Sequence, residues 1–230
     1  MTANSLHDIF ILRFKLGEIY SLTFFVYKYF KKDVKNLIEN LVDTFEELKK
    51  YDFIISFGNN NKIILRFNDD NFYHLVGLHK TNIDLYFPNN IKSKAKKYKY
   101  LKSHAKKFNS ILQAELNGKT TLMFRIHTFS NIIGLLHDNK TMLYKMNEKV
   151  NGSLYNGDFS LYKLCNKMYC LLGLICERKI NNEFFCIPQS WMANNRPNKL
   201  VNTKRAIYIK NIAIVPISKH NTNKKISVLN

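Results

Sequence analysis

Residues 52–80 read DFIISFGNNNKIILRFNDDNFYHLVGLHK and contain a clear change from one structural pattern to another. Two short apolar runs, 52–57 and 62–67, flank the turn residues Gly58–Asn61, and this arrangement predicts a β-hairpin with a slightly long turn. The pattern then becomes that of a short helix, which ends near Gly77. The stretch therefore predicts a hairpin that leads directly into a helix.

Helical and strand patterns are segregated along the rest of the chain. Upstream, residues 5–50 carry apolar side chains at three- and four-residue spacing, which predicts helix. Downstream, the patterns predict helices over 91–117 and 120–137 and strands over 140–145, 159–165, 168–176, 183–187 and 205–215. Helices first and strands later, without regular alternation, favour an α+β fold with a largely antiparallel sheet.

No internal repeat and no glycine-rich linker divides the chain into separate domains. We expect an N-terminal helical extension over residues 1–50, an α+β domain over 51–217 and a loose basic tail over 218–230. The N-terminus lacks the pattern of a signal peptide, and charged residues interrupt every long apolar run. These features predict a cytoplasmic protein that does not contact a membrane.

The charge is the most unusual property of the composition. The 230 residues include 36 Lys and Arg against 17 Asp and Glu, a formal net charge of +19. Codon bias toward Lys does not explain this excess, because AT-rich codons encode Asp and Glu as well. A field of this sign attracts polyanions, and nucleic acid is the partner that it favours.

Several kinds of chemistry lack the motifs that they require. Neither a Walker-type phosphate loop nor a dinucleotide-binding glycine pattern occurs in the sequence. The cysteines at 165, 170, 176 and 186 form no C-x2-C pair and have no histidine at zinc-finger spacing, so we expect reduced thiols and no metal. We also expect no cofactor.

Two histidines and a lysine surround the short helix after the hairpin. His74 and His79 are five residues apart, which on an ideal helix points them about 140° away from each other. They converge only if the helix ends between them. His74 shares a face with Leu78, so a hydrogen-bonded histidine of the core is the alternative to a functional one.

Two further polar residues stand at the edges of apolar segments. Arg125 precedes the apolar position Phe129 and could lie at the edge of a core face, and the alternative is a surface arginine that only covers apolar area. Ser190 follows the predicted end of a strand at Pro188, where the alternative role is to cap the next segment.

Taken together, these segments resemble a known family. The patterns F-x-H-L-x-G-L from Phe72, R-I-x-x-F from Arg125 and P-x-S-W from Pro188 occur in an order and spacing similar to the fourth type of phage-associated nuclease domain of the barnase, EndoU, colicin and RelE superfamily. The resemblance covers about residues 50–195. It implies helices packed on one face of a small, mostly antiparallel sheet, and a metal-independent ribonuclease of phages or mobile elements with toxin-like roles.

The resemblance also implies a catalytic set formed by His74, Arg125 and Ser190. Such residues suit RNA, which carries its own nucleophile in the 2′-hydroxyl and needs a base, an acid and a fixed cation. The remaining basic and aromatic residues near these motifs are predicted to bind the substrate, and they are His79, Lys80, Trp191, Lys92, Lys94, Lys96 and Lys97.

The basic composition also fits functions without catalysis. A non-enzymatic phage protein that coats or blocks nucleic acid, as an antidefence factor or an inactive descendant of a nuclease, would show the same charge and aromatic content. No motif in the sequence supports a third function, the binding of an acidic host protein. An antitoxin or a host protein is a further candidate partner beside RNA.

Overall fold

The computed structural model describes residues 36–138, 140–146, 157–195 and 206–217. Most of the predicted N-terminal helical extension and the whole of the predicted tail over 218–230 lie outside these residues. Within the described ranges, no helix combines the length and the apolar character that a membrane span requires.

Apart from the hairpin that follows the first helix, helices precede strands along the described chain. The helices are α1 (Leu37–Leu48), α2 (Asp69–Leu75), α3 (Lys94–Ser103), α4 (Ala105–Leu116), α5 (Thr120–His127) and α6 (Asn131–Leu136), with short 3₁₀ helices at Leu78–Lys80 and Asn82–Tyr86. The strands are β1 (Tyr51–Phe57), β2 (Asn61–Arg66), β3 (Met142–Lys145), β4 (Phe159–Cys165), β5 (Met168–Ile180), β6 (Glu183–Asn194) and β7 (Ile207–Pro216).

These strands form a closed barrel in the order β1-β2-β6-β5-β4-β3-β7. Strands β2 and β6 run parallel, with Ile63 opposite Phe184, whereas the other neighbours are antiparallel. The expectation of a small, mostly antiparallel sheet with helices on one face is therefore wrong, although the fold contains segregated helices and strands. Periodicity shows that a strand exists but not which strand it pairs with, so the closure was not visible in the sequence.

The predicted hairpin over 52–67 is confirmed and holds the barrel closed. Ile54 pairs with Ile64 within the hairpin and with Ala213 of β7 on its other side. Because β2 also pairs with β6, each strand of the hairpin has a second neighbour from the C-terminal half of the chain. The hairpin thus lies between β6 and β7 and connects these two strands into a closed barrel.

Strand β6 is longer than the sequence indicated. The predicted strand stopped at 187, before Pro188, but the observed strand continues to Asn194. Pro188 pairs with Leu174 beside a shift of register between Gly173 and Leu174. A proline is tolerated at such an irregularity because it has no N–H to donate to a regular ladder.

The helix α1 belongs to the core of the unit that spans Leu37–Asn230. Its fully buried Phe45 contacts Phe67, Phe72 and Tyr98, with ring centroids 6.1, 5.0 and 5.3 Å away. Edge-on aromatic contacts of this kind stabilise a core beyond the apolar area that they bury. The cluster fixes α2 against α1 and α3, and α2 leads into the candidate site.

Candidate functional site

The helix α2 is set in place by its own acidic first turn. Asp69 and Asp70 lie at the N-terminus of the helix, where negative charge is favourable. The Asp69 carboxylate accepts a hydrogen bond from Lys49 at 2.6 Å, and that of Asp70 accepts one from the backbone N–H of Ala95 at 2.9 Å. These acids therefore anchor neighbouring helices.

The chain reverses direction just after α2. The helix ends at Leu75, and Gly77 adopts a left-handed conformation with a φ of +85°. Glycine suits this position because a residue with a Cβ is strained at such a φ. A 3₁₀ turn starts at Leu78, so His79 folds back toward His74 instead of pointing away from it.

The two imidazoles meet directly. The Nδ1 atoms of His74 and His79 lie 2.9 Å apart, within hydrogen-bonding distance, and the rings are nearly perpendicular at 87°. His74 is half-buried, and His79 is more exposed as a residue although its ring is partly desolvated. The helix thus ends between the histidines. The sequence predicted that the two side chains converge only under this condition.

Arg125 of α5 lies against the same turn. A Cβ placed on Gly77 would stand 2.8 Å from Cδ and 2.9 Å from Nη1 of Arg125, so the guanidinium packs on the bare glycine backbone. Arg125 is only 6% exposed. Among the described residues it has no hydrogen-bond or carboxylate partner. An unpaired buried cation is unfavourable on its own and favours the binding of an anion.

The electrostatics of the site are dominated by positive charge. Partial burial, together with the charges of Lys94, Arg125 and Lys80, lowers the pKa of His74. Burial and the charges of His74, Arg125 and Lys80 lower the pKa of His79 to about 4, although a backbone hydrogen bond to Tyr73 acts in the opposite direction. Burial lowers the pKa of Lys80 and of Arg125 as well. Both histidines are therefore neutral at pH 7.

A pocket of about 400 Å³ opens beside Arg125 at the start of α5. It is lined by Lys80, Gly118, Lys119, Thr121, Leu122 and Arg125. Lys119 is engaged with Glu115 at 2.9 Å, whereas the ammonium group of Lys80 has no hydrogen-bond or carboxylate partner among the described residues. The first N–H groups of α5 have no side-chain cap. Such a pocket can hold a phosphate group.

Ser190 lies within β6, and among the described residues no hydrogen bond joins it to His74 or Arg125. Ser190 pairs with Gly173, and the next residue, Trp191, pairs with Leu172. Successive residues of a strand point to opposite faces of the sheet. Trp191 faces α5, since its Nε1 donates to Thr128 at 3.3 Å, so Ser190 points the other way. Its buried hydroxyl has no hydrogen-bond partner in the part of the chain that the structure describes. The predicted phosphate contact from Ser190 finds no support in this arrangement.

Trp191 is a core residue in the structure. Its side chain is 0% exposed and packs edge-on against Phe129, with ring centroids 6.3 Å apart. The indole therefore presents no free face on which a base could stack. The pattern P-x-S-W from Pro188 thus lies at the register shift of β6.

The predicted lysines divide into free and engaged side chains. Lys92, Lys94 and Lys96 are exposed at the start of α3 and have no carboxylate partner among the described residues. Lys97 instead forms an ion pair with Asp84 at 2.7 Å and lies over the ring of Tyr73. The positive charge of Lys94 also contributes to the lowered pKa of His74.

The roles of Gly77 and of the His74–His79 contact were not recognised from the sequence. The glycine that ends α2 was the available signal, because a left-handed residue between the two histidines turns the chain back. In the part of the chain that the structure describes, no three His, Cys, Asp or Glu side chains cluster as metal ligands. The four cysteines are free thiols, and burial raises the pKa of Cys170 and Cys186.

A family model matches residues 37–227 of the chain. The matching family is described as phage-Barnase-EndoU-ColicinE5/D-RelE like nuclease4. No curated protein and no solved structure matches the chain. The match extends over most of the 230 residues and includes the helices that carry His74 and Arg125. The chain therefore belongs to the phage-Barnase-EndoU-ColicinE5/D-RelE like nuclease4 family.

Proposed function

We propose that the protein is a metal-independent endoribonuclease whose active site lies at the turn around Gly77. The observation that carries this proposal is the unpaired, buried guanidinium of Arg125 packed beside the His74–His79 contact. The combination supplies a fixed cation for a phosphate and neutral imidazoles for proton transfer. Membership of a nuclease-like family supports a nucleic-acid substrate.

The chemistry follows from the substrate itself. The 2′-hydroxyl of RNA attacks the adjacent phosphorus once a base removes its proton, and the 5′-oxygen leaves with a proton from an acid. His74 is neutral at pH 7, because burial and nearby cations lower its pKa, and it can therefore act as the base. A positioned acid or base of this kind contributes about 10²–10⁴-fold to the rate.

Arg125 stabilises the charge that builds on the phosphate oxygens. Its planar guanidinium donates several hydrogen bonds and remains charged at every accessible pH. The side chain is already desolvated and held in place by Gly77, so little reorganisation is needed when the phosphate arrives. Lys80, in the same pocket, adds a second cation without a carboxylate partner among the described residues.

The lysines at the start of α3 and just before it extend the binding surface beyond the scissile phosphate. Lys92, Lys94 and Lys96 are exposed, and Lys94 lies near enough to His74 to act on its pKa. A row of exposed lysines binds phosphates of either RNA or DNA without reading sequence. Selectivity for RNA therefore rests on the 2′-hydroxyl at the step of cleavage.

A chimeric substrate tests this function directly. An oligodeoxynucleotide with one central ribonucleotide should be cut only 3′ of that residue, in the presence of EDTA, and the all-deoxy oligonucleotide should remain intact. Arg125→Ala should bind both and cut neither. A non-enzymatic nucleic-acid-binding protein would bind both oligonucleotides and leave both whole, and that result for the wild-type protein would refute the proposal.

A further inference from the structure

The contact between His74 and His79 constrains where their protons lie. A neutral imidazole has one N–H group and one lone pair on nitrogen. When two neutral imidazoles share a hydrogen bond between their Nδ1 atoms, one ring donates and the other accepts. The donor ring then has a free lone pair on Nε2, and the acceptor ring has its proton on Nε2. One pair thus offers both a base and an acid.

We propose that His79 is a second catalytic residue and that the His74–His79 hydrogen bond relays a proton from the 2′-hydroxyl to the 5′-oxygen. This inference rests on the ribonuclease function proposed above. The turn at Gly77 brings the rings together, and Arg125 lies on the same glycine, so the phosphate that Arg125 binds is adjacent to both histidines.

Each proton and bond in the relay is accounted for. The Nε2 lone pair of His74 takes the proton of the 2′-hydroxyl while the bond from the 2′-oxygen to phosphorus forms. The Nδ1 proton of His74 crosses the 2.9 Å contact to Nδ1 of His79. The Nε2 proton of His79 passes to the 5′-oxygen while the bond from phosphorus to that oxygen breaks. Each ring ends neutral with its proton on the other nitrogen, and exchange with water restores the starting state.

The environment of the two rings lowers the pKa of both. Burial and the surrounding cations lower the pKa of His79 to about 4, so His79 readily passes on a proton when it receives one from His74. The pKa of His74 is also lowered, which leaves its ring neutral and able to accept a proton. Asp84, whose pKa is lowered in part by the charge of His79, is itself engaged by Lys97 and by the hydroxyl of Tyr73.

A substrate with sulfur in place of the bridging 5′-oxygen separates the acid from the base. A thiolate leaves without protonation, so this substrate needs no acid. His79→Gln should lower kcat on the oxygen substrate by about 10²–10⁴-fold and remain within about tenfold of wild type on the sulfur substrate. His74→Gln should be slow on both substrates. His137→Gln, an exposed histidine at the end of α6, is the matched control and should behave as wild type.

Three results would overturn the relay. Equal losses on both substrates for His79→Gln would make it a structural residue, and an unchanged rate on the oxygen substrate would remove it from the reaction. Long-range ¹H–¹⁵N NMR of the unmodified protein at pH 7 should show one ring protonated on Nδ1 and the other on Nε2, and two Nε2-protonated rings would contradict the shared bond. A wild-type protein that cuts neither substrate would instead refute the ribonuclease function itself.

Discussion

Replacing Gly77 with Ala should disturb both the turn and the arginine that packs on it. The φ of +85° strains any residue with a Cβ, at about 1–2 kcal/mol. The new methyl group would also stand 2.8 Å from Cδ of Arg125 and 2.9 Å from Cδ1 of Leu122. Overpacking of this kind costs about 1–3 kcal/mol. We therefore expect a loss of about 2–5 kcal/mol in the free energy of unfolding.

Activity should fall more than stability alone explains. A displacement of about 1 Å in a positioning group can lower a rate about 10²-fold, and Arg125 must move or rotate to admit the methyl group. Gly58→Ala is the matched control, because its φ of +49° is also left-handed but its Cβ would meet only Asn61 at 3.5 Å. Gly58→Ala should lose about 1–2 kcal/mol and keep the wild-type rate of cleavage.

Urea unfolding and RNA cleavage, measured on both glycine variants under conditions where each is folded, check this reasoning. The unfolding midpoints, at an unchanged m value, give the difference in stability. If Gly77→Ala were no less stable than Gly58→Ala and cut RNA at the wild-type rate, Arg125 would not be held against Gly77 as the structure shows.

Three further outcomes follow from the same contacts. Arg125→Lys should lower kcat/KM for RNA cleavage by about 10²-fold, because an ammonium group cannot reproduce a bidentate grip, and a wild-type value would contradict that role. The free energy of unfolding should fall as the pH drops from 6.5 toward 4, because the histidines of the unfolded chain take up protons that His74 and His79 of the folded protein do not. Denaturation at several pH values should show that the free energy of unfolding of His79→Gln depends less steeply on pH than that of the wild type. An identical dependence would be evidence against the lowered pKa of His79. Binding of a 2′-O-methyl oligonucleotide should weaken steeply with salt, by about 0.7 in log K per log salt for each phosphate that a lysine of α3 contacts. Titration at several salt concentrations measures this slope, which a flat response would exclude.

The local structure around the site was largely predictable from the sequence. The apolar runs of the hairpin and the short helix that follows gave the correct elements, because their signals lie within a few residues of one another. The joining of His74 and His79 depended on where that helix ends. The αL conformation of Gly77 decided the outcome, and the glycine was visible in the sequence.

Contacts between distant segments were not predictable in the same way. The burial of Arg125 depends on α5 packing over Gly77, and nothing in either segment specifies the other. The parallel pairing of β2 with β6, which closes the barrel, likewise joins residues about 120 positions apart. Ser190 was expected to follow a strand but lies within one, because the register shift beside Leu174 accommodates Pro188. The register shift therefore determines on which face of the sheet Ser190 lies.

The chemical identity of the cleaved ends tests the central claim most directly. If the site around Gly77 uses the 2′-hydroxyl of RNA as the nucleophile, mass spectrometry of the products made in EDTA should show 2′,3′-cyclic phosphate on the 5′ fragment and a free 5′-hydroxyl on the other. Arg125→Ala, folded by its melting curve, should yield neither product. Ends that carry a 5′-phosphate and a 3′-hydroxyl would show that water attacked the phosphorus instead, and would contradict the account.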